Sequence, residues 1–299
     1  MKRICRAALC LALVCLAGGL AACRGAEPSA TSGGGETALR VVASFYPMYD
    51  FAVKVGGDRI SAVNLVPAGT EPHDWEPSAS DIAGLEKADV FVYNGAGMEH
   101  WVSDVLASLG NKSLITVEAA AGVVNREADP HVWLSPVRAK AQMRAIRDAF
   151  AGADPDGADA YNANFDRWAA ELDALDAEFR EALAPLPRRD VVVAHQAFGY
   201  LCAEYGLNQV AVEGLSPDAE PSPERMAQVI DFCRANDVRV IFFEELASPD
   251  VAAAIAAATG SRTDVLNPLE GLTNGQLEAG EDYLSVMRKN LAALAEALS

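Results

Sequence analysis

Asp159–Leu183 reads DAYNANFDRWAAELDALDAEFREAL, with no glycine or proline. Apolar residues recur at Tyr161, Phe165, Trp168, Leu172, Leu175 and Phe179, in steps of three and four, which is one face of an α-helix. At about 1.5 Å per residue this helix is roughly 40 Å long, about the length of a whole domain. Pro185 and Pro187 stop it. Too few heptads are present for a coiled coil.

On both sides of the helix, short β-rich runs alternate with amphipathic ones. Strands are predicted at Leu39–Ser44, Ile60–Pro67, Val90–Asn94, Leu114–Val117, Asp190–His195, Gln209–Glu213, Val238–Glu244 and Thr263–Asn267. Helices are predicted at Ser80–Lys87, Glu99–Leu109, Pro136–Ala151, Gln196–Tyr205, Ser222–Asn236, Pro249–Thr259 and Glu278–Leu298. Strands separated by helices of this length make βαβ units and parallel sheets covered on both faces. The runs VVVA at 191–194 and VIFF at 240–243 are continuously apolar, as such buried strands require. The expected fold class is therefore α/β, with two lobes of parallel sheet flanked by helices, 39–158 and 185–299. The single long helix, 159–184, joins them as a stiff spine.

The chain has 299 residues, long enough for two cores. Its formal charge of −18 and isoelectric point near 4.6 repel phosphates, so nucleic acid is not an expected partner. Lys2, Arg3 and Arg6 precede an apolar run from Ala7 to Leu20 that is short for a bilayer span. Residues 1–22 read as a secretory leader. The leader ends Leu-Ala-Ala-Cys, which resembles the bacterial lipobox, so Cys23 is the expected lipidation site. Residues 23–38, rich in Gly, Ser, Thr and Ala, read as a flexible tether. Beyond Cys23 only Cys202 and Cys233 remain, and a disulfide or two buried thiols are both compatible with their settings.

The chain has four histidines and four tryptophans. Half of each fall in two matching settings, EPHDWEPS at 71–78 and DPHVWLSP at 129–136. His73 and His131 each follow an acid and a proline and precede a tryptophan by two. His195 ends the predicted strand DVVVAH. In open α/β sheets ligands bind beyond the carboxyl ends of strands, so these three histidines can converge only between the lobes. Imidazole is the commonest metal ligand, and three of them need a fourth donor to close a tetrahedron. Glu270, in NPLEGLT after the last strand, would complete a His₃Glu shell suited to zinc. Asp264, Glu244 and Glu245 compete for that place. Trp75 and Trp133 are expected to pack and fix their loops. His100, in a predicted helix, is expected to be exposed.

The set GTEPHDWEPS, DPHVWLSP, AHQAFGYLCAEYGL and NPLEGLT resembles the zinc/manganese substrate-binding lipoproteins of bacterial ABC transporters. VVASFYP at 41–47 and YNGAGME at 93–99 are similar to segments of the same family. The resemblance implies two α/β lobes joined by one rigid helix, with the metal in the cleft between them. It places metal ligands at His73, His131 and His195, the histidine at 195 pointing to Zn²⁺ over Mn²⁺. The fourth family ligand is usually an aspartate, where this chain has Asn267. Some zinc members use the glutamate that corresponds to Glu270, so Glu270, Asn267 and water stay open for that place. The implied function is a non-catalytic monomer outside the cell, anchored to the membrane through Cys23. It captures Zn²⁺ as cargo and hands it to an ABC permease driven by an ATPase subunit. Two rivals belong to other classes: a secreted zinc hydrolase with Glu244 as general base, and a surface adhesin.

Overall fold

In the computed structural model, which describes residues 38–126, 129–217 and 221–299, all eight expected strands form. The leader, Cys23 and the tether up to Thr37 lie outside the described residues. The first sheet contains β1 (Leu39–Ala43), β2 (Ile60–Asn64), β3 (Val90–Tyr93) and β4 (Ile115–Glu118), in the order β2-β1-β3-β4 and all parallel. The second contains β5 (Asp190–Val193), β6 (Asn208–Ala211), β7 (Val240–Phe243) and β8 (Arg262–Val265), in the order β6-β5-β7-β8 and again all parallel. The two sheets share one winding, so their carboxyl ends form two equivalent crevices.

Strand side chains alternate between faces, as a pleat requires. Val41, Val90, Val92, Val191, Val193, Val240 and Phe242 point into one core, whereas Val42 and Phe91 point into an outer cluster of the first lobe and Val192 and Ile241 into one of the second. The outer cluster of the first lobe is covered by α2 (Ala79–Leu85) and α3 (Val102–Ser108), and that of the second by α7 (Pro223–Ala235) and α8 (Asp250–Thr259).

The inner core is common to both lobes. It takes Phe51 from α1 (Tyr46–Gly56), Phe150 from α4 (Pro136–Ala153), Leu201 from α6 (Gly199–Tyr205) and Met287 from α10 (Tyr283–Leu298). Across them lies the spine α5 (Ala158–Leu183), which buries Tyr161, Phe165, Leu172, Leu175, Phe179 and Leu183. Trp168 of the expected stripe is only partly buried and is capped by the Lys54 ammonium, 4.8 Å from the ring centre. Because α5 packs on α1 and α4 of one lobe and on α6 and α10 of the other, the lobes are fixed through side chains as well as through the helix.

Helix α1 differs from the sequence expectation, which placed none there. Its Pro47 reads as a breaker, yet proline is tolerated in a first turn. Its buried residues wrap most of its circumference, which weakens the periodic signal. The short α9 (Asn274–Glu278) was also not expected. His100 is exposed, but it sits in a turn before α3, not within a helix. Cys202 and Cys233 are free buried thiols in different clusters on opposite faces of the second sheet, which rules out the disulfide. Among the described residues no helix is long and apolar enough to cross a membrane.

Candidate metal centre

His73 lies in the loop after β2, His131 in the loop after β4, His195 two residues beyond β5, and Glu270 in the loop after β8. All four positions are at carboxyl ends of strands. The structure brings their donor atoms within 4.8 Å of one another, and among the described residues no other group of three or more His, Cys, Asp or Glu gathers in this way.

The acid of each repeated motif explains the echo in the sequence. The Glu71 carboxylate accepts the backbone N–H of His73 at 3.0 and 3.1 Å, and Asp129 Oδ1 accepts that of His131 at 3.1 Å. An acid two residues upstream thus closes a tight turn that presents each ring. Asp129 Oδ1 also lies 2.9 Å from His131 Nδ1, which leaves Nε2 facing the centre. Glu244 does the same for His195, 2.5 Å from its Nδ1. A carboxylate on the far nitrogen fixes both tautomer and ring orientation.

Trp133 is fully buried, meets Phe45 edge to face, and donates its Nε1–H to Pro268 O at 2.8 Å, while its own carbonyl accepts from Tyr283 Oη at 2.6 Å. It therefore clips the His131 loop of one lobe to the Glu270 loop of the other. Trp75 packs against Trp101 at 5.6 Å. Both tryptophans act as the expected packing elements. Asn267 is turned away from the centre: its Oδ1 accepts from Leu269 N at 2.7 Å and its Nδ2 donates to Glu245 Oε2 at 2.7 Å. This brace holds Leu269 at φ +58°, a left-handed backbone that bulky residues avoid, and so aims Glu270 at the histidines. Neither this bracing role nor Glu244 as an orienting group was read from the sequence. Nothing in spacing along the chain marks a partner brought in by another strand.

Glu270 Oε1 lies 3.1 Å from His73 Nε2, 3.0 Å from His131 Nε2 and 3.4 Å from His195 Nε2. His131 Nε2 lies 3.3 Å from that of His73 and 3.4 Å from that of His195. A tetrahedral shell with bonds of about 2.0–2.1 Å has edges of roughly 3.3–3.4 Å. Five of the six donor separations, 3.0–3.4 Å, therefore stand at or slightly inside the edges of such a shell.

The electrostatics agree. Burial alone would push the Glu270 carboxyl up, but hydrogen bonds from His131, His195 and His73 hold it well below the usual carboxylate range. Burial likewise pulls proton affinity down at His131 and His195, and their carboxylate partners outweigh it. Asp129 and Glu270 raise His131, and Glu244 and Glu270 lift His195 to about 10. Glu270 is thus a buried carboxylate held by the three rings, and His195 carries a proton that a metal ion would have to displace.

Residues 41–297 match the family described as ZnuA, zinc-uptake complex component A periplasmic. The chain belongs to this family. The ZnuA-family match is supported by 42% identity to the zinc-binding lipoprotein AdcA of Streptococcus pneumoniae over 275 residues, which is 86% of this chain and 55% of that protein. The chain thus spans about half the length of that relative. It is 37% identical to the high-affinity zinc uptake system protein ZnuA of Bacillus subtilis over 298 residues, 93% of each. The crystal structure of the Zn(II)-bound ZnuA-like domain of Streptococcus pneumoniae AdcA superposes with a TM-score of 0.79 at 43% identity, covering 87% of this chain and 99% of that one. Glu244, the general base of the hydrolase reading, is engaged with His195 Nδ1.

Proposed function

We propose that this chain is an extracytoplasmic receptor that captures Zn²⁺ through His73, His131, His195 and Glu270 and carries it without chemical change. The single observation that supports this is the gathering of the four donors, five of whose six separations are 3.0–3.4 Å, close to the edges of a tetrahedral zinc shell. Four protein donors make a closed shell with no position for a reactive water, which suits carriage. Three nitrogens favour zinc over manganese, which prefers oxygen. Lipid on Cys23 would hold the receptor at the outer face of the membrane. Delivery would be to an ABC permease, powered by a separate ATPase subunit, since the chain has no phosphate-binding G-x-x-x-x-G-K-[ST] segment.

Isothermal titration of the metal-stripped protein with Zn²⁺ tests the reading. One equivalent should bind to the wild type, and the double variant His73→Ala, His131→Ala should lose that binding. Equal affinity in the two proteins would refute the site.

A further inference from the structure

The segment YNGAGME at 93–99 supplies none of the four donors, yet its backbone is unusual. Gly95, Ala96 and Gly97 are consecutively left-handed, with φ of +81°, +54° and +88°. An alanine in that region is strained. The Glu99 carboxylate holds the loop by accepting from Asn94 N at 2.8 Å, Gly95 N at 2.9 Å and Ser44 Oγ at 2.6 Å. The result is that Asn94, fully buried at the carboxyl end of β3, reaches the loop of His131.

Asn94 Nδ2 donates to Pro130 O at 2.9 Å. That carbonyl also accepts from Val132 N at 2.7 Å, which closes a three-residue turn centred on His131 at φ −77° and ψ 43°. These angles are close to an inverse γ-turn. On its other side, Asn94 Oδ1 accepts from Nε2 of the fully buried Gln142 on α4, at 2.8 Å. The amide orientations follow from one another. Pro130 O requires the Asn94 amino group, so the Asn94 carbonyl faces α4 and Gln142 must present its own amino group. Gln142 Oε1 is then turned away and has no hydrogen-bond partner among the described residues.

We propose that Asn94 and Gln142 are positioning residues of the metal centre, a two-amide relay that fixes the backbone turn presenting His131. This rests on His131 being a zinc ligand. Two variants separate the relay from general packing. Gln142→Met removes the donor at similar volume and leaves Asn94 Oδ1 in place of Gln142 Oε1 as the bare acceptor, and Asn94→Ala removes the relay itself. Zinc affinity is read by chelator competition on the purified full chain. The cobalt(II)-loaded form gives the ligand-field spectrum, and the metal-free form gives the thermal midpoint. Both variants should weaken zinc binding about tenfold or more and shift the cobalt bands. The metal-free midpoint of Gln142→Met should stay close to that of the wild type, because the lost hydrogen bond to Asn94 Oδ1 is offset by burying an apolar side chain of similar volume. Stability and affinity moving apart in this way is a signature that a packing role cannot give. A Gln142→Met protein with zinc affinity within about twofold of wild type and an unshifted cobalt spectrum overturns the relay, even if Asn94→Ala fails to fold. A wild-type protein that binds no zinc overturns the site reading itself.

Discussion

His195 shows how one residue's surroundings set the chemistry of the centre. Its ring loses water on burial, yet Glu244 and Glu270 lift its proton affinity to about 10 from an ordinary value of 6.5. A raised value means that the stability this proton lends is complete below about 6.5 and is lost as pH rises through about 10. Glu270 runs the other way. Held well below 4.5, it contributes above that value and loses its contribution as pH falls through its lowered one. The metal-free cluster is therefore most favourable between these limits, and zinc must displace the proton because it binds only neutral imidazole. Apparent zinc affinity is expected to rise from pH 6 to pH 8, and the gain in thermal midpoint on adding zinc should be larger at pH 8. Scanning calorimetry at the two pH values, with and without metal, measures this. A gain independent of pH would contradict the proton–metal exchange.

Among the elements, the spine α5 carries the most consequence. Leu175 and Phe179 are fully buried in the core shared by the two sheets. Replacing Leu175 with Ala leaves a cavity in that shared core and should cost about 2–5 kcal/mol, measured as a lowered midpoint in urea. Because the helix is part of one core, the variant should still unfold in a single step. An early, partial transition confined to one lobe would show that α5 is a linker and not a shared wall. The loops are held differently, by single polar clips such as Trp133 Nε1 to Pro268 O and Asn267 to Glu245. Such clips order a few residues each, so they control the geometry of the centre more than the stability of the whole.

For the molecule as a whole, residues 38–299 form one compact unit despite containing two sheets. Continuous packing through α1, α4, α5, α6 and α10 leaves no soft boundary at which the lobes would melt separately. Calorimetry of the metal-free protein should show one transition, and saturating zinc should move it upward as a unit. With Cys202 and Cys233 on opposite faces of the second sheet, a reductant should leave that transition unchanged. Two resolved transitions, or a midpoint lowered by reductant, would contradict this architecture.

The sequence by itself determined the α/β class, the eight strands, the long helix at 159–183 and the three histidines proposed for the centre. Those features are local: apolar periodicity, proline stops and the repeated acid-Pro-His-x-Trp are written within a few neighbouring residues. Helix α1 escaped because it is buried on most of its surface and so lacks a polar stripe. The choice of Glu270 over Asn267, Asp264, Glu244 or Glu245 could not be made from spacing, since all five lie near strand ends of the second lobe. Only the tertiary structure decided it, by turning Asn267 into a brace, committing Glu244 to His195 and seating Glu270 against three imidazoles. The fate of the two cysteines was settled in the same way. Which side chains meet depends on the winding of two sheets and the packing between them, and those contacts join residues up to 197 positions apart, as His73 and Glu270 are.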